Sequence, residues 1–206
     1  MSSEKKVIIV LKGLWRLNRA QRLSIKKWIR EGFEPIVKEA AKSLEFKSSM
    51  KAADRKELSK TQYLIEMEFN EPKPPKKRCG LLLAECGSGH ISIGRHKFMG
   101  VCGNDEKARR KRFLTTDELL GHALANTALH EIGHLVANFD DNRISGNFMS
   151  TLGPPKDKRT VKTQRAFWAS KMSWTKKQEE ALIKNIKLGK KAFDDEFTVT
   201  PIPAQP

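Results

Sequence analysis

Apolar and polar residues alternate along this chain with periods that change from segment to segment. Val7-Ile8-Ile9-Val10-Leu11 is an unbroken β-branched run and predicts a buried strand. From Asn18 to Leu44 the apolar residues Leu23, Trp28, Ile29, Ile36, Val37, Ala40, Ala41 and Leu44 recur at mostly helical spacing. Gly32 and Pro35 inside that span predict a kink or two helical pieces. Residues 47–60 are polar and basic and read as a connector. Thr61 to Phe69 reads as a strand with Tyr63, Ile65, Met67 and Phe69 on one face. Glu71-Pro72-Lys73-Pro74-Pro75 cannot be a central strand. Gly80 to Cys86 and His90 to Gly94 read as two short strands around Gly87-Ser88-Gly89, and residues 103–114 as a charged loop.

A longer helix is then expected from Thr115-Thr116-Asp117-Glu118 to about Val136. Thr115 and Glu118 have capping-box spacing, and acids in the first turn suit the helix dipole. Beyond it, Gly153-Pro154-Pro155 reads as a loop. A last helix is expected from Thr175 to Phe193, with a second capping box at Thr175 and Gln178.

The chemistry lies in the longer helix, which contains His130-Glu131-Ile132-Gly133-His134. Residues four apart share a helix face, so the two imidazoles can grip one metal ion. Glu131 projects from the neighbouring position, within reach of a water on that ion. Two neutral nitrogen ligands beside a carboxylate are what zinc-assisted amide hydrolysis needs. The flanking Leu129, Ile132, Leu135 and Val136 place this helix against a core, where histidines need a partner or a metal. A catalytic zinc takes three protein ligands. Asp140, six residues past His134, would point away if the helix continued, so the chain must turn back soon after Val136. Asn138 tolerates the left-handed conformation that ends helices. After such a turn either Asp140 or Asp141 can swing under the metal.

His-Glu-x-x-His-x-x-Ala-x-x-Asp followed by Asn147-Phe148-Met149-Ser150 resembles the metzincin zinc-peptidase signature, in its minority variant with aspartate as third ligand. The resemblance implies His130, His134 and Asp140 as zinc ligands, Glu131 as general base and Met149 as the methionine of a turn beneath the metal. The family glycine is Ala137 here; if the pivot falls at Asn138 instead, Asp141 becomes the ligand. The tyrosine that many members carry two residues after the methionine is Thr151, and no tyrosine is assigned a role. The order of strand, long helix, strands, metal helix, methionine turn and last helix matches the family plan. The implied fold is α+β: a twisted sheet of about four to five strands with a long backing helix, an active-site helix and a small C-terminal subdomain. Residues 1–139 would form the upper subdomain, residues 140–197 the lower one, and residues 198–206 a mobile tail. Leu81, Leu82, Leu83 and Ala84 resemble the strand on whose edge an extended substrate pairs. The implied activity is a zinc-dependent endopeptidase acting on protein or peptide.

Composition narrows the alternatives. At 206 residues the chain can bury a sizeable core, and one compact domain is expected. The apolar run after the charged start is only Val7 to Leu11, with no cleavage site after it, so neither a signal peptide nor a membrane span is read there. With the first strand expected near residue 6, no conventional inhibitory segment is expected before it: either this is a mature form with leaders removed or the enzyme is made without one, and the Met1 start favours the second. Three widely spaced cysteines, Cys79, Cys86 and Cys102, make no disulfide framework and suit either a reducing compartment or one bridge with one spare thiol; with no signal peptide read, an intracellular setting is expected. His90, His96 and His122 read as ordinary hydrogen-bonded histidines. The net charge is +16, from 40 Lys and Arg against 24 Asp and Glu. Basic residues cluster at Lys76-Lys77-Arg78, Lys107 to Arg112 and Lys156 to Arg165, and Lys184, Lys187 and Lys191 share a helical face. Such charge fits a solvated surface or a polyanionic partner, nucleic acid or acidic protein. No nucleic-acid motif accompanies it, and aromatics do not alternate with these basic residues. Two further readings thus stand beside the endopeptidase: a zinc protease associated with nucleic acid, and a basic polyanion-binding protein whose zinc site is not catalytic.

Overall fold

The computed structural model describes residues 5–41, 43–51, 62–70, 84–85, 89–93, 116–150, 166–167 and 169–189. Its elements are β1 (Lys6–Lys12), α1 (Arg19–Ala40), β2 (Ser43–Lys47), β3 (Gln62–Asn70), β4 (Ala84–Glu85), β5 (His90–Ser92), α2 (Asp117–Ala137) and α3 (Lys176–Leu188). A 3-10 turn, Leu14–Arg16, joins β1 to α1. The sheet runs in the order β2-β1-β3-β5-β4. The first four strands in that order are parallel, and β4 lies antiparallel at the edge, with Ala84 opposite Ile91. This is the expected mixed α+β architecture. None of the described helices is long and apolar enough to cross a membrane.

The sheet has two unequal faces because side chains alternate along each strand. Val7, Ile9 and Leu11 of β1 and Tyr63, Ile65, Met67 and Phe69 of β3 point into the main core, where Ile25, Ile29, Phe33, Leu124, Ala128 and Ile132 of the helices meet them. On the other face Ile8, Val10 and Leu64 form a small cluster with Met50. β1 is buried on both faces, which is why it reads as a continuous apolar run.

The helices differ from expectation in four places. α1 is one continuous helix across Gly32 and Pro35. Gly32 faces inward: a methyl group there would overlap Leu129 and Phe148, so its missing side chain lets α2 and the loop beyond it close in. The helix also ends at Ala40, and Leu44, expected in it, belongs to β2. β2 is a half-buried edge strand of five residues, SLEFK, and Leu44 and Phe46 pack against the core from it. So short an alternation, overlapping the tail of a helical pattern, carries little periodicity of its own. The cap of α2 is Thr116, whose hydroxyl accepts from Leu119 N at 3.1 Å, one residue later than the spacing of Thr115 and Glu118 implied. α3 does carry the expected Thr175–Gln178 capping box but stops at Leu188, where Gly189 takes the left-handed conformation.

The N-termini of the two long helices are tied together. Asn18 and Gln21 form a capping box on α1, and their amides also donate to the two carboxylate oxygens of Asp117, each at 2.8 Å. Gly121 of α2 sits against Ser24 and the Gln21 carbonyl. These close approaches fix how α2, and with it His130 and His134, lies over the sheet.

Candidate metal centre

Every residue of α2 from Leu120 to Leu129 is buried, as are Glu131 to His134. Glu131 is 2% exposed and His134 4%. Two histidines and a glutamate on a helix this enclosed are costly unless each is satisfied. The ring Nδ1 of His130 lies 2.8 Å from the carbonyl oxygen of Phe148, and that of His134 lies 2.7 Å from the carbonyl oxygen of Phe139. A carbonyl only accepts, so Nδ1 carries the proton in both rings. In a neutral ring so held, Nε2 is a bare lone pair.

Those lone pairs converge. His130 Nε2 and His134 Nε2 are 3.0 Å apart, and Asp141 Oδ1 lies 3.2 Å from the first and 3.4 Å from the second. Three acceptors face one another with no donor between them, an arrangement that a cation relieves. Zinc bonds of about 2.0–2.2 Å at tetrahedral angles set ligand atoms roughly 3.3–3.6 Å apart, so the three atoms need separate by only a few tenths of an ångström. Burial holds the His130 imidazole below its ordinary range, and His134 adds to this; the hydrogen bond to Phe148 and the charge of Asp141 oppose it. The net effect favours the neutral ring, which is the form that ligates.

Of the two aspartates open at the sequence level, the group takes Asp141. Asp140, the ligand implied by the family spacing, is exposed and lies outside the cluster. The cause is the position of the turn. Ala137 is still helical, and Asn138 carries the left-handed conformation, at φ 49°, alone among the described non-glycine residues. Its N–H closes the helix on the carbonyls of Gly133 and His134. Moving the pivot from 137 to 138 moves the returning carboxylate from 140 to 141.

Met149 is fully buried beneath the helix turn between the two histidines. Gly133 presents its bare Cα there; a methyl group would overlap the Met149 sulfur and would lie 3.2 Å from the rings of both Phe139 and Trp174. Glu131 neighbours His130 and shares a face with Leu135, whose side chain reaches Gly89 beside β5. Ala84 lies in the edge strand β4, while Leu81, Leu82 and Leu83 are outside the described residues. Cys79, Cys86, Cys102, His96, Lys191 and the three basic clusters also lie outside them. His90 sits 3.8 Å from Glu68 across the β3–β5 pair, and His122 is stacked on Trp28 at 3.9 Å; neither belongs to the cluster.

Two residues given no role from sequence hold the site together. Asn147 is 3% exposed. Its Oδ1 accepts from Met149 N at 3.0 Å and from Asn142 Nδ2 at 2.8 Å, and its Nδ2 donates to Ser173 O at 2.9 Å and Gln178 Oε1 at 2.8 Å. It thereby joins the segment after Asp141, the methionine turn and the cap of α3. Trp174 donates its indole N–H to the Gly32 carbonyl at 3.0 Å and packs on Phe139 and Phe148. The carbonyls that orient both histidines belong to those two phenylalanines. Sequence offers one weak signal for Asn147, its place next to the Phe-Met pair; for Trp174 it offers none.

No family model matches this chain, and no curated protein or solved structure matches it significantly.

Proposed function

We propose that this protein is a zinc-dependent endopeptidase of metzincin type, with His130, His134 and Asp141 as metal ligands, Met149 beneath them and Glu131 as general base. The observation that carries the reading is the convergence of three acceptor atoms within 3.4 Å beside a buried glutamate. The element order supports it too: strand, long helix, strands, metal helix, methionine turn and last helix follow one another as the family plan implies.

When bound, zinc supplies a Lewis acid that makes a water more acidic and polarises a peptide carbonyl. The chain's own groups do the rest. The Phe148 and Phe139 carbonyls hold the two imidazoles in one tautomer, with Nε2 aimed inward. The Glu131 carboxylate takes a proton from the attacking water as its oxygen adds to the carbonyl carbon. It then gives that proton to the amide nitrogen as the C–N bond breaks, so the leaving amine departs neutral. His130 and Asp141 are the more exposed members of the group, with side chains 18% and 48% accessible, which puts the approach for a substrate on their side. Ala84 on the edge strand is a candidate for main-chain pairing with an extended peptide.

The test is metal content and casein cleavage of wild type and Glu131→Gln side by side. About one zinc per chain in both proteins, with hydrolysis in wild type alone, is expected. Two imidazoles and a carboxylate also form the iron-binding facial triad, so iron in place of zinc would overturn the reading. Equal cleavage by both proteins would remove Glu131 from the mechanism. Zinc without cleavage in either would favour a non-catalytic site.

A further inference from the structure

Trp15 is 72% exposed, more than any other large hydrophobic side chain among the described residues. It is not a loose surface residue. It sits in the 3-10 turn Leu14–Arg16, whose neighbours Leu14 and Leu17 are buried on either side. Gly13, at φ 77°, starts the turn with its Cα against the Phe69 carbonyl, where no side chain fits. The turn is thus anchored on β3 and holds the indole outward. The Arg16 guanidinium stacks on one face of the ring, 4.4 Å from its centroid, and leaves the other open.

The helix that follows continues this surface. From Lys12 to Arg30 the chain carries Lys12, Arg16, Arg19, Arg22, Lys26, Lys27 and Arg30 and no acidic residue. Arg19, Leu23, Lys26 and Arg30 fall within about 60° of one another around α1 at 100° per residue, with Arg22 and Lys27 flanking them. All but Lys26 of these cations on α1 are exposed, and none joins an ion pair with an acid among the described residues. Asp117, the acid that the start of α1 touches, accepts from the amides of Asn18 and Gln21.

We propose that Trp15 and the cations of α1 from Arg19 to Arg30 form a binding platform for single-stranded nucleic acid. An open indole face stacks on an unpaired base, and a row of guanidinium and ammonium groups follows the phosphates. A duplex keeps its base faces stacked inside and offers Trp15 nothing. An anionic membrane is a poorer fit, because Leu23 is the one exposed apolar residue along this face and the inner side of α1 is committed to the core. α1 meets α2 through Ser24 and Gly32, whereas the cations of the platform lie on its exposed side. A strand bound there therefore leaves the metal ligands free, and the proposal does not rest on the peptidase reading.

The experiment is fluorescence anisotropy of a labelled oligothymidylate with the full chain across a salt series, beside a blunt duplex and phosphatidylserine vesicles. The single strand should bind more tightly than the duplex at equal salt. Trp15→Ala should weaken it roughly tenfold with the salt slope unchanged, and Trp15→Phe should keep most of the affinity. Replacing Arg19, Lys26 and Arg30 by glutamine together should flatten the log–log salt slope by about 2. Every variant should stay folded with zinc affinity unchanged, since these side chains lie outside the metal cluster, and the loss of Arg30 from over the Phe46 ring should cost only a small part of the stability. Wild-type affinity in Trp15→Ala would overturn the proposal, as would equal binding of the duplex. Loss of vesicle binding in Trp15→Ala with the oligonucleotide unaffected would make the patch a membrane surface and would overturn it as well.

Discussion

Replacing Asp141 by asparagine removes a charge and keeps an oxygen in place. Its Oδ1 stands 3.2 and 3.4 Å from the two histidine nitrogens, so a metal held by all three sits a bond length from that oxygen. At about 2.1 Å, one negative charge and a dication attract by about 4 kcal/mol even in the dielectric of bulk water. That is about three orders of magnitude in affinity, and partial burial of the site raises it. An aspartate that does not ligate acts only through the field. Taken at roughly 8 Å, the exposed Asp140 contributes about 1 kcal/mol without salt and about 0.4 at physiological ionic strength, close to a factor of two. Asp141→Asn should therefore weaken zinc about 1,000-fold and Asp140→Asn about twofold. Competition titration against a chromogenic chelator measures both, with circular dichroism to show that each variant is folded. If Asp140→Asn loses as much as Asp141→Asn, or more, the pivot does not lie at Asn138 and the assigned ligand is wrong.

Gly133→Ala should destabilise the protein by about 1–2 kcal/mol in urea unfolding, because overlap with Met149 outweighs the gain of about 1 kcal/mol that alanine brings to a helix; a more stable variant would show that the methionine is not packed against that turn. Burial lowers the pKa of His122, against the nearby charges of Glu31 and Glu118, so the unfolded chain binds its proton first as pH falls. The metal-free protein should thus keep this contribution above the ordinary histidine range near 6.5 and lose it as pH drops below, and His122→Gln should flatten the curve of urea-unfolding free energy against pH there; an unchanged curve would remove His122 from the account. Trp174→Phe should cost about 2–3 kcal/mol, for the lost bond to Gly32 and the space left, and should weaken zinc roughly tenfold through the shifted carbonyls of Phe139 and Phe148. Unchanged zinc affinity in that variant would separate the indole from the metal site.

The legible parts of this molecule are those that depend on local period. β1, β3 and the metal helix declare themselves because each is long and in register with one face of the core, and the two histidines lie four apart on a helix. The choice between Asp140 and Asp141 depends on a single backbone conformation, the left-handed one at Asn138, and spacing alone does not say which residue adopts it. β2 was hidden because five half-buried residues at a sheet edge gain their stability from pairing with β1, which leaves no trace in their own sequence. The continuity of α1 through Pro35 has the same origin: its inner face is packed on the sheet and the metal helix, and that packing outweighs a local preference to break. The exposed Trp15 was legible as a residue but not as a surface, since its prominence comes from the two buried leucines around it and the close approach of Gly13 to β3.

The metal cluster itself is assembled by contacts between distant segments. His130 and His134 come from one helix, but their tautomers are set by carbonyls of Phe148 and Phe139 on the returning chain. Both phenylalanines lean on Trp174, and Trp174 is bound in turn to Gly32, at the one point where α1 has no side chain to keep the metal helix away. Asn147 closes the circuit by holding the methionine turn to Asn142, next to Asp141, and to the cap of α3. The polar links are hydrogen bonds in a largely enclosed site, several of them between elements remote in sequence, so losing one member leaves a partner unpaired. A helix alone could present two imidazoles, but it would leave their rings free to turn. Here the rings are held by the protein itself, which would lower the ordering entropy of binding a metal and makes the geometry of the site a property of the core.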